Sequence, residues 1–355
     1  RQVKTIHANL TSAADVTLAA KLPGNLGVGF VGDVKAGSFD IPESEAELFL
    51  CGPNPNARPS SDVMLPWVNG LDVLRRDRHY WILDFPSEMS EAASACYAGP
   101  FEAVSARVRP GRLAVKRKSY REFWWIHAEP CNVMRRATKP LWRYLATPNT
   151  SKHRVFVWLS SPTLPDHQLI VFARDDDYFF GVVHSRAHEL WGLHQGTRLE
   201  TRPRYTPTTC FETFPFPSPT DAQREAIAAA AKELDALRSR WLNPPEWVKE
   251  DVLEFPASVD GPWARHVVNP NADGIGTARY VRLVPADEKA ALALKKRTLT
   301  KLYNDRPAWL ANAHRTLDEA VFAAYGWPPS LTDDEVLAKL LELNLAQSAA
   351  VPSGA

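Results

Sequence analysis

The segment from Glu200 to Pro217 constrains the fold of this chain more than any other sequence feature. Its sequence, ETRPRYTPTTCFETFPFP, places three charged residues at alternate positions before a dense run of Thr, Phe and Pro. Successive side chains of an extended strand point to opposite faces, so Glu200, Arg202 and Arg204 are predicted to project together. Proline-dense sequence cannot continue a sheet or a helix, and we therefore expect a domain boundary after Pro217.

These three charged side chains are of the types that read DNA bases. Arg donates two hydrogen bonds to guanine O6 and N7, and a carboxylate accepts a hydrogen bond from cytosine N4. Alternating charges are also common on the solvated face of an ordinary strand. The pattern alone therefore leaves both interpretations open.

A strongly basic block precedes this segment. Residues 104–154 contain thirteen Lys and Arg against two acids, although the whole chain has a formal net charge of only +1. Such a block is typical of a surface that binds a phosphate backbone, and a solvated face balanced by the acidic segment 33–91 is the alternative. The residues predicted to contact phosphates are Arg107, Arg109, Arg112, Lys116, Arg117, Lys118, Lys152, Arg154 and Arg186.

Length and composition indicate a globular protein with more than one domain. The chain has 355 residues, of which 45% are hydrophobic and 23% charged, and no apolar run approaches the roughly 20 residues of a membrane helix. Four widely spaced cysteines without a C-x-x-C pair favour a reducing cytoplasm and argue against structural zinc. Because the sequence starts at Arg1 without a methionine, we expect a fragment of a longer polypeptide.

The hydrophobic patterns predict an α+β fold. A mixed β-sheet domain (1–217) is expected to precede a connecting helix with a loop-rich segment (218–285) and an all-α domain (286–355). Strands are predicted at 26–34, 79–85, 154–159, 168–174 and 178–184, with a hairpin turn at 174–177. Helices are predicted at 88–97, 133–145, about 220–241, 286–303, 307–325 and 333–346.

Three short motifs are compatible with catalytic or metal-binding sites, but each has a simpler explanation. Gly27, Gly29 and Gly32 spell G-x-G-x-x-G, yet no helix is predicted after them, which favours a glycine-rich hairpin over a dinucleotide site. His184 and His188 could share a helix face as metal ligands, but no third ligand is recognisable.

The third motif is Asn243-Pro244-Pro245-Glu246. It is similar to the N-P-P-aromatic signature of amino-methyltransferases, in which the aromatic residue stacks on a flipped base. Here Glu246 stands at the stacking position, and termination of a helix is the favoured explanation.

Several longer segments resemble the MmeI family of type II restriction-modification enzymes, single polypeptides that join nuclease, adenine methyltransferase and target-recognition parts. The resemblance covers nearly the whole chain. The matching segments are WILDF (81–85), SKHRVFVWL (151–159), FARDDDYFFGVVHSRAHELW (172–191), PRYTPTTCFETFPFP (203–217), LDEAVFAAYGW (317–327) and LTDDEVLAKLLELN (331–344). It implies that residues 1–217 form a DNA target-recognition domain and that a C-terminal helical domain follows.

The resemblance also implies which residues read the DNA. In this family a set of base-reading positions lies just before an R-Y-[ST] motif, which here is Arg204-Tyr205-Thr206. Glu200, Arg202 and Arg204 are therefore the predicted base-reading residues, with Glu200 and Arg202 choosing the base and Arg204 holding the strand. Further base-reading positions are expected between Pro140 and Gln168.

Double-stranded DNA and upstream parts of the same polypeptide are the partners that the resemblance implies. The upstream parts would be an adenine-N6 methyltransferase that uses S-adenosylmethionine and a nuclease that uses Mg²⁺. The methyltransferase motifs have no match in this chain, so the chain alone is not expected to methylate, to be catalytic or to bind a cofactor or metal. We expect sequence-specific DNA target recognition in the bacterial cytoplasm; the alternative is that the chain is itself a catalytic methyltransferase or nuclease fragment.

Overall fold

The computed structural model describes residues 14–199 and 202–350 and confirms an α+β fold, with 46% helix and 19% strand. None of its helices is long and apolar enough to cross a membrane. The strands are β1 (Gly29–Val31), β2 (Asp40–Ile41), β3 (Met64–Val68), β4 (Tyr80–Leu83), β5 (Arg143–Pro148), β6 (Val157–Ser160), β7 (Leu164–Pro165), β8 (Leu169–Phe172), β9 (Thr197–Leu199), β10 (Arg202–Arg204), β11 (Val248–Ser258), β12 (Val267–Val268) and β13 (Ile275–Pro285). The helices are α1 (Glu43–Cys51), α2 (Gly70–Leu74), α3 (Glu91–Ser94), α4 (Ala98–Arg107), α5 (Arg109–Ala114), α6 (Lys118–Glu122), α7 (Asn132–Thr138), α8 (Asp177–His184), α9 (Arg186–Gln195), α10 (Asp221–Leu242), α11 (Glu288–Leu294), α12 (Leu299–Asp305), α13 (Ala308–Tyr325) and α14 (Asp333–Ala349).

Two four-stranded sheets form the centre of residues 29–172. The first has the strand order β1-β8-β5-β6, and its pairings are antiparallel. The second has the order β2-β4-β3-β7, in which only β3 and β7 run parallel. Strands β3 and β8 are buried along their whole length, which explains why their sequences are almost continuously apolar.

The predicted strand at 178–184 is wrong, because these residues form helix α8. Every residue from 178 to 184 is buried, so the sequence shows neither a polar helix face nor strand alternation, and periodicity cannot distinguish the two. The predicted hairpin turn at 174–177 is instead the start of this helix. The Asp176 carboxylate caps it by accepting the Phe179 N–H at 2.9 Å.

The segment 244–285, predicted to be loop-rich, contains a three-stranded sheet with the order β11-β13-β12. Strands β11 and β13 pair over eleven residues each. Pro256 is tolerated because β11 is an edge strand, and Pro285 because it is the last residue of β13. One face of this sheet is packed, with Phe255 against Trp81 and Trp263.

Helix predictions are confirmed for α10, α13 and α14. Helices α10 and α14 each begin with a complete capping box, formed by Thr220 with Gln223 and by Thr332 with Glu335. The predicted helix 133–145 is half wrong, because α7 ends at Thr138 and the chain then enters β5. Helix 286–303 is divided into α11 and α12, and of the predicted helix 88–97 only Glu91–Ser94 is helical.

A buried polar network joins the first sheet to the helices that follow it. The Arg238 guanidinium of α10 donates to the Phe156 carbonyl at 3.0 Å and to the Tyr303 hydroxyl at 3.4 Å. The Tyr303 hydroxyl also lies 3.0 Å from Nε2 of both His184 and His314. Helices α8, α10, α12 and α13 therefore meet at one set of hydrogen bonds. The domain boundaries predicted from the sequence stay predictions.

Buried histidines make the fold sensitive to acid. Burial lowers the pKa of His188 and of His314 to about 3, and that of His184 well below 6.5. Between about pH 3 and pH 6.5 the native protein thus binds fewer protons than the unfolded chain, and stability is lost as the pH falls. Burial also raises the pKa of Asp318 to about 6. Below that pH this carboxyl binds a proton more readily in the native protein than in the unfolded chain, which offsets the loss of stability caused by one buried histidine.

We predict that His188→Gln lowers stability at pH 7.5 but weakens its dependence on pH. Wild type should lose about 2 kcal/mol through His188 between pH 6.5 and pH 5, because each pH unit contributes about 1.4 kcal/mol per buried neutral histidine. Urea unfolding at pH 7.5 and pH 5 measures the difference. His194→Gln, at an exposed position, is the control and should behave as wild type. Equal acid losses in wild type and His188→Gln would contradict the assignment.

Candidate nucleic-acid interface

Strands β9 and β10 form an exposed two-stranded hairpin. Leu199 pairs with Arg202, and Thr197 pairs with Arg204, so these four side chains share one face. The side chains of Arg202 and Arg204 are exposed, as the sequence predicts for base-reading residues. Glu200, the third predicted residue, lies with Thr201 between the strands and outside the described residues.

Sequence reasoning missed a further cation on the same hairpin, Arg198. It lies on β9 opposite Pro203 and is exposed on the other face. The signal was present in the sequence, since the alternation of charged residues at positions 200, 202 and 204 extends back to Arg198. With Arg198 included, both faces of the hairpin bear arginine.

The hairpin is fixed at its base by Tyr205, which is 2% exposed. The Tyr205 N–H donates to the Asn149 carbonyl at 2.7 Å, directly after the central strand β5. His188 Nδ1–H donates to the Val183 carbonyl at 2.8 Å, so its Nε2 is the acceptor for the Tyr205 hydroxyl at 3.0 Å. Burial raises the pKa of Tyr205 well above 10 and keeps that hydroxyl protonated.

Arg154 supports Tyr205 from the sheet side. Its guanidinium lies over the Tyr205 ring, 4.9 Å from the ring centre, and donates to the Thr147 hydroxyl and the Pro148 carbonyl. Burial lowers the pKa of Arg154 to about 10, so it is still charged at neutral pH. Arg154, which the sequence predicts to contact phosphate, thus stabilises the base of the hairpin through these contacts.

Gly196 allows α9 to turn directly into β9. A Cβ atom at this position would lie 2.5 Å from the Arg204 carbonyl oxygen and 2.7 Å from that of Gly192. Both contacts are with backbone atoms, which cannot move aside as a flexible side chain could. Only glycine therefore fits between the helix and the end of β10.

The predicted phosphate-contacting residues of 107–118 are only partly available for DNA. Their side chains are exposed except that of Arg112, but three of them pair with carboxylates of this chain. These ion pairs are Arg107–Glu45 (2.6 Å), Arg117–Glu129 (2.8 Å) and Lys118–Glu122 (3.3 Å). The pairing of Arg107 with Glu45 is of the kind expected if the block is balanced by the acidic segment 33–91.

The prediction that Arg112 contacts phosphate does not fit its position. Arg112 is 3% exposed, and its guanidinium donates to the carbonyls of Lys35 (2.8 Å) and Ile126 (3.2 Å). It therefore stabilises the chain from inside. Arg109 lies over the ring of buried Trp124 at 5.0 Å, whereas Lys116 is exposed to solvent.

Lys152 and Arg186 are bound by the C-terminal helical region. Lys152 Nζ donates to Asn304 Oδ1 at 2.6 Å. The Arg186 guanidinium donates to the Leu331 carbonyl at 3.0 Å and pairs with Asp333. A phosphate contact by either residue stays a prediction, and in this conformation each side chain already has partners within the chain.

Comparison with known proteins identifies the segment that contains the hairpin. Residues 58–218 match the family model for the MmeI target recognition domain, as the sequence resemblance predicted. The matched segment, a little under half of the chain, is thus similar to the MmeI target recognition domain. No curated protein matches the chain.

The fold of nearly the whole chain is also similar to a solved structure. That structure is the type IIL restriction-modification enzyme MmeI in complex with DNA, with a TM-score of 0.67 and 20% sequence identity. The match covers 98% of this chain and 39% of that chain. At this identity the similarity establishes the fold, and the present chain spans about two fifths of the length of MmeI.

The short sequence motifs have structural roles both inside and outside the matched segment 58–218. Gly32 is in contact with the Asp166 backbone, and strands rather than a helix follow the glycine motif. His184 and His188 are both buried, and they form the hydrogen bonds with Tyr303 and Tyr205 described above. Asn243 ends α10, and its Oδ1 accepts a hydrogen bond from Arg76 at 2.9 Å, so its amide is already engaged.

A cluster of Asp33, Asp84 and His127 brings potential metal ligands within 4.8 Å of one another. Arg135 donates to both carboxylates and so supplies the positive charge that a metal ion would bring. Burial alone would raise the pKa of Asp33, but hydrogen bonds from His127 and Arg135 lower it to about 2. The cluster is a buried ion-pair network between α7 and the second sheet.

We predict that Gly196→Ala loosens the hairpin while the rest of the fold stays intact. Forcing the backbone apart at this close contact should cost about 1 to 3 kcal/mol. Hydrogen exchange of the Tyr205 amide, which bonds to Asn149, should become faster, whereas amides of β5 and β8 should keep their protection. Gly24→Ala is the matched control, because no atom lies within 4 Å of a Cβ there. Unchanged exchange at Tyr205 in Gly196→Ala would contradict the account.

Proposed function

We propose that this chain recognises a specific double-stranded DNA sequence for a restriction-modification enzyme. The observation that supports this most strongly is the exposed β9–β10 hairpin within the matched segment 58–218. The major groove of B-DNA is about 12 Å wide and admits a two-stranded β-ribbon. The hairpin is such a ribbon, with arginines on both faces and a rigid base.

In this proposal the hairpin enters the major groove and its charged side chains choose the base pairs. Arg202 would donate to guanine and Glu200 would accept from cytosine N4, while Arg204 would hold the strand in place. Tyr205 fixes the hairpin relative to β5 in the free protein. Binding through the arginines therefore does not cost the conformational entropy of ordering this strand. Loop 149–153 lies against the base of the hairpin, within the interval 140–168 where further base-reading residues are predicted.

The partner domains belong to the proposal as well. The longer polypeptide would contribute an S-adenosylmethionine-dependent adenine methyltransferase and a Mg²⁺-dependent nuclease, which the recognition domain would position on an asymmetric site. The match to only 39% of MmeI is compatible with such additional parts. Location in the bacterial cytoplasm stays a prediction. The alternative, catalysis by this chain, gains no support from Asn243, whose side chain binds Arg76.

We predict that exchanging charges on the hairpin changes the preferred DNA sequence. Glu200→Lys combined with Arg202→Asp reverses donors and acceptors, and should alter the preference at one or two adjacent base pairs. Binding to the original site should weaken by roughly 1 to 3 kcal/mol for each lost base contact. Selection of bound duplexes from a random pool measures the preference of each variant. Glu254→Lys with Arg279→Asp makes the same charge exchange at an exposed ion pair between β11 and β13 and is the control. An unchanged preference in the hairpin variant would reject the assignment.

We predict a different outcome for the exposed Lys116. If this side chain contacts a phosphate, Lys116→Gln should weaken binding to all sequences alike and reduce the slope of log K against log salt by about 0.9. Filter binding across a salt titration measures both effects. Lys249→Gln removes an equally exposed charge from β11 and is the control. A slope that is unchanged in Lys116→Gln would exclude the block around it from the interface.

A further inference from the structure

A wide groove separates α7 from the turn that precedes β12. Its volume is about 710 Å³, and it is lined by the α7–β5 connection, the β6–β7 connection and residues 260–266. The last of these elements follows β11, so it lies outside the matched segment 58–218. The groove therefore brings together residues that the sequence places in separate units.

The exposed cations at this groove differ from Arg107, Arg117 and Lys118, which pair with carboxylates of this chain. In the part of the chain that the structure describes, Arg136, Lys139 and Arg265 have no carboxylate within 4.0 Å, and all three are exposed. The groove acids are mostly neutralised internally, since Asp84 pairs with Arg135. Two further lining acids, Asp62 and Asp260, pair with Arg58, and the exposed Glu88 is the remaining lining acid. The groove lining as a whole has five Lys and Arg against these four acids, a formal net charge of +1, and its three unpaired cations are all exposed.

An exposed tryptophan stands beside these cations. Trp142 directly precedes β5 and is 62% exposed. Its carbonyl accepts the Ser161 N–H at 2.9 Å, and the Ser161 carbonyl accepts from His266 Nε2 at 3.1 Å. Arg265 lies over the Trp142 ring, 5.2 Å from the ring centre, and His266 meets the ring edge-on at 6.0 Å. The tryptophan is thus held in place while much of its surface faces solvent.

These side chains form one surface suited to a polyanion. Arginine and lysine neutralise phosphates, and an exposed indole has an N–H that can donate to a phosphate oxygen. We call this set the flank surface, and it consists of Arg136, Lys139, Trp142 and Arg265. We propose that the flank surface binds the phosphate backbone of duplex DNA beside the base pairs contacted by the β9–β10 hairpin. This inference rests on the proposed function.

The distance between the two surfaces follows from β5. Trp142 precedes this strand and Asn149, which binds the base of the hairpin, follows it. Seven residues of extended chain span at most about 23 Å. At about 3.4 Å per base pair, this corresponds to roughly seven base pairs of B-DNA. A duplex that follows β5 from the hairpin therefore reaches the flank surface outside the base pairs under the hairpin.

Two duplexes that share the preferred site test this inference. The short duplex ends about three base pairs from the site, and the long duplex extends about ten base pairs beyond it on both sides. The chain should bind the long duplex about tenfold or more tightly, because three additional phosphates are neutralised. Arg136→Gln/Lys139→Gln/Arg265→Gln should abolish this gain, keep the short-duplex affinity and lower the salt slope on the long duplex by about 3. Trp142→Ala should reduce the gain without changing the net charge.

The control is Lys289→Gln/Lys295→Gln/Lys296→Gln, which removes the same charge from exposed positions on and next to α11. It should keep the long-duplex gain. A full gain in the Arg136 triple variant would overturn the inference, and an equal loss on both duplexes would place the contact inside the recognised site and overturn the flanking assignment. If wild type binds neither duplex, the proposed function itself fails. Thermal unfolding of each variant confirms that it is folded.

Discussion

The hydrogen bonds and stacking of Tyr205 determine where the β9–β10 hairpin stands on the protein. Its N–H binds Asn149 at the end of the central strand β5, its hydroxyl binds neutral His188 inside the fold, and its ring lies under Arg154. An extended two-stranded ribbon has few contacts of its own and would otherwise be marginally stable. Because these contacts are buried, the positions of Arg202 and Arg204 depend on the core of the sheet rather than on solvent-exposed bonds.

Whether a cation can contribute to DNA affinity depends on whether it is exposed and whether a carboxylate of the same chain already pairs with it. The basic block suggests a single DNA-binding face, but Arg112 is buried and Arg107 is paired with an acid of the preceding segment. Among the residues that the structure describes, Arg136 and Arg265 have no carboxylate within 4.0 Å, and both line the groove near the start of β5. Exposed, unpaired charges are those whose counterions can be exchanged for phosphates, and they are the ones from which DNA affinity is expected.

Part of the fold was predictable from the sequence, and the reasons for the failures are physical. Helices α10 and α14 were predicted because capping boxes mark their first turns. Residues 178–184 were misassigned since a wholly buried helix has no polar face. Residues 244–285 were misassigned because a count of prolines does not reveal that Pro256 lies on an edge strand. For the site, alternation predicted the shared face of Arg202 and Arg204, whereas the burial of Arg112 depends on tertiary contacts that sequence alone does not specify.

Arg202 is proposed to contact a guanine in the major groove, and one measurement tests this contact directly. Once the preferred sequence is known, each guanine is replaced in turn by 7-deazaguanine, which lacks the N7 acceptor and still pairs with cytosine. For wild type, affinity should fall at the guanine that Arg202 contacts, and for Arg202→Ala the same replacement should cause no additional loss. That non-additivity would identify the contact. If every replacement weakened wild type and Arg202→Ala by the same factor, Arg202 would not read a guanine through N7, and this account of the hairpin would be contradicted.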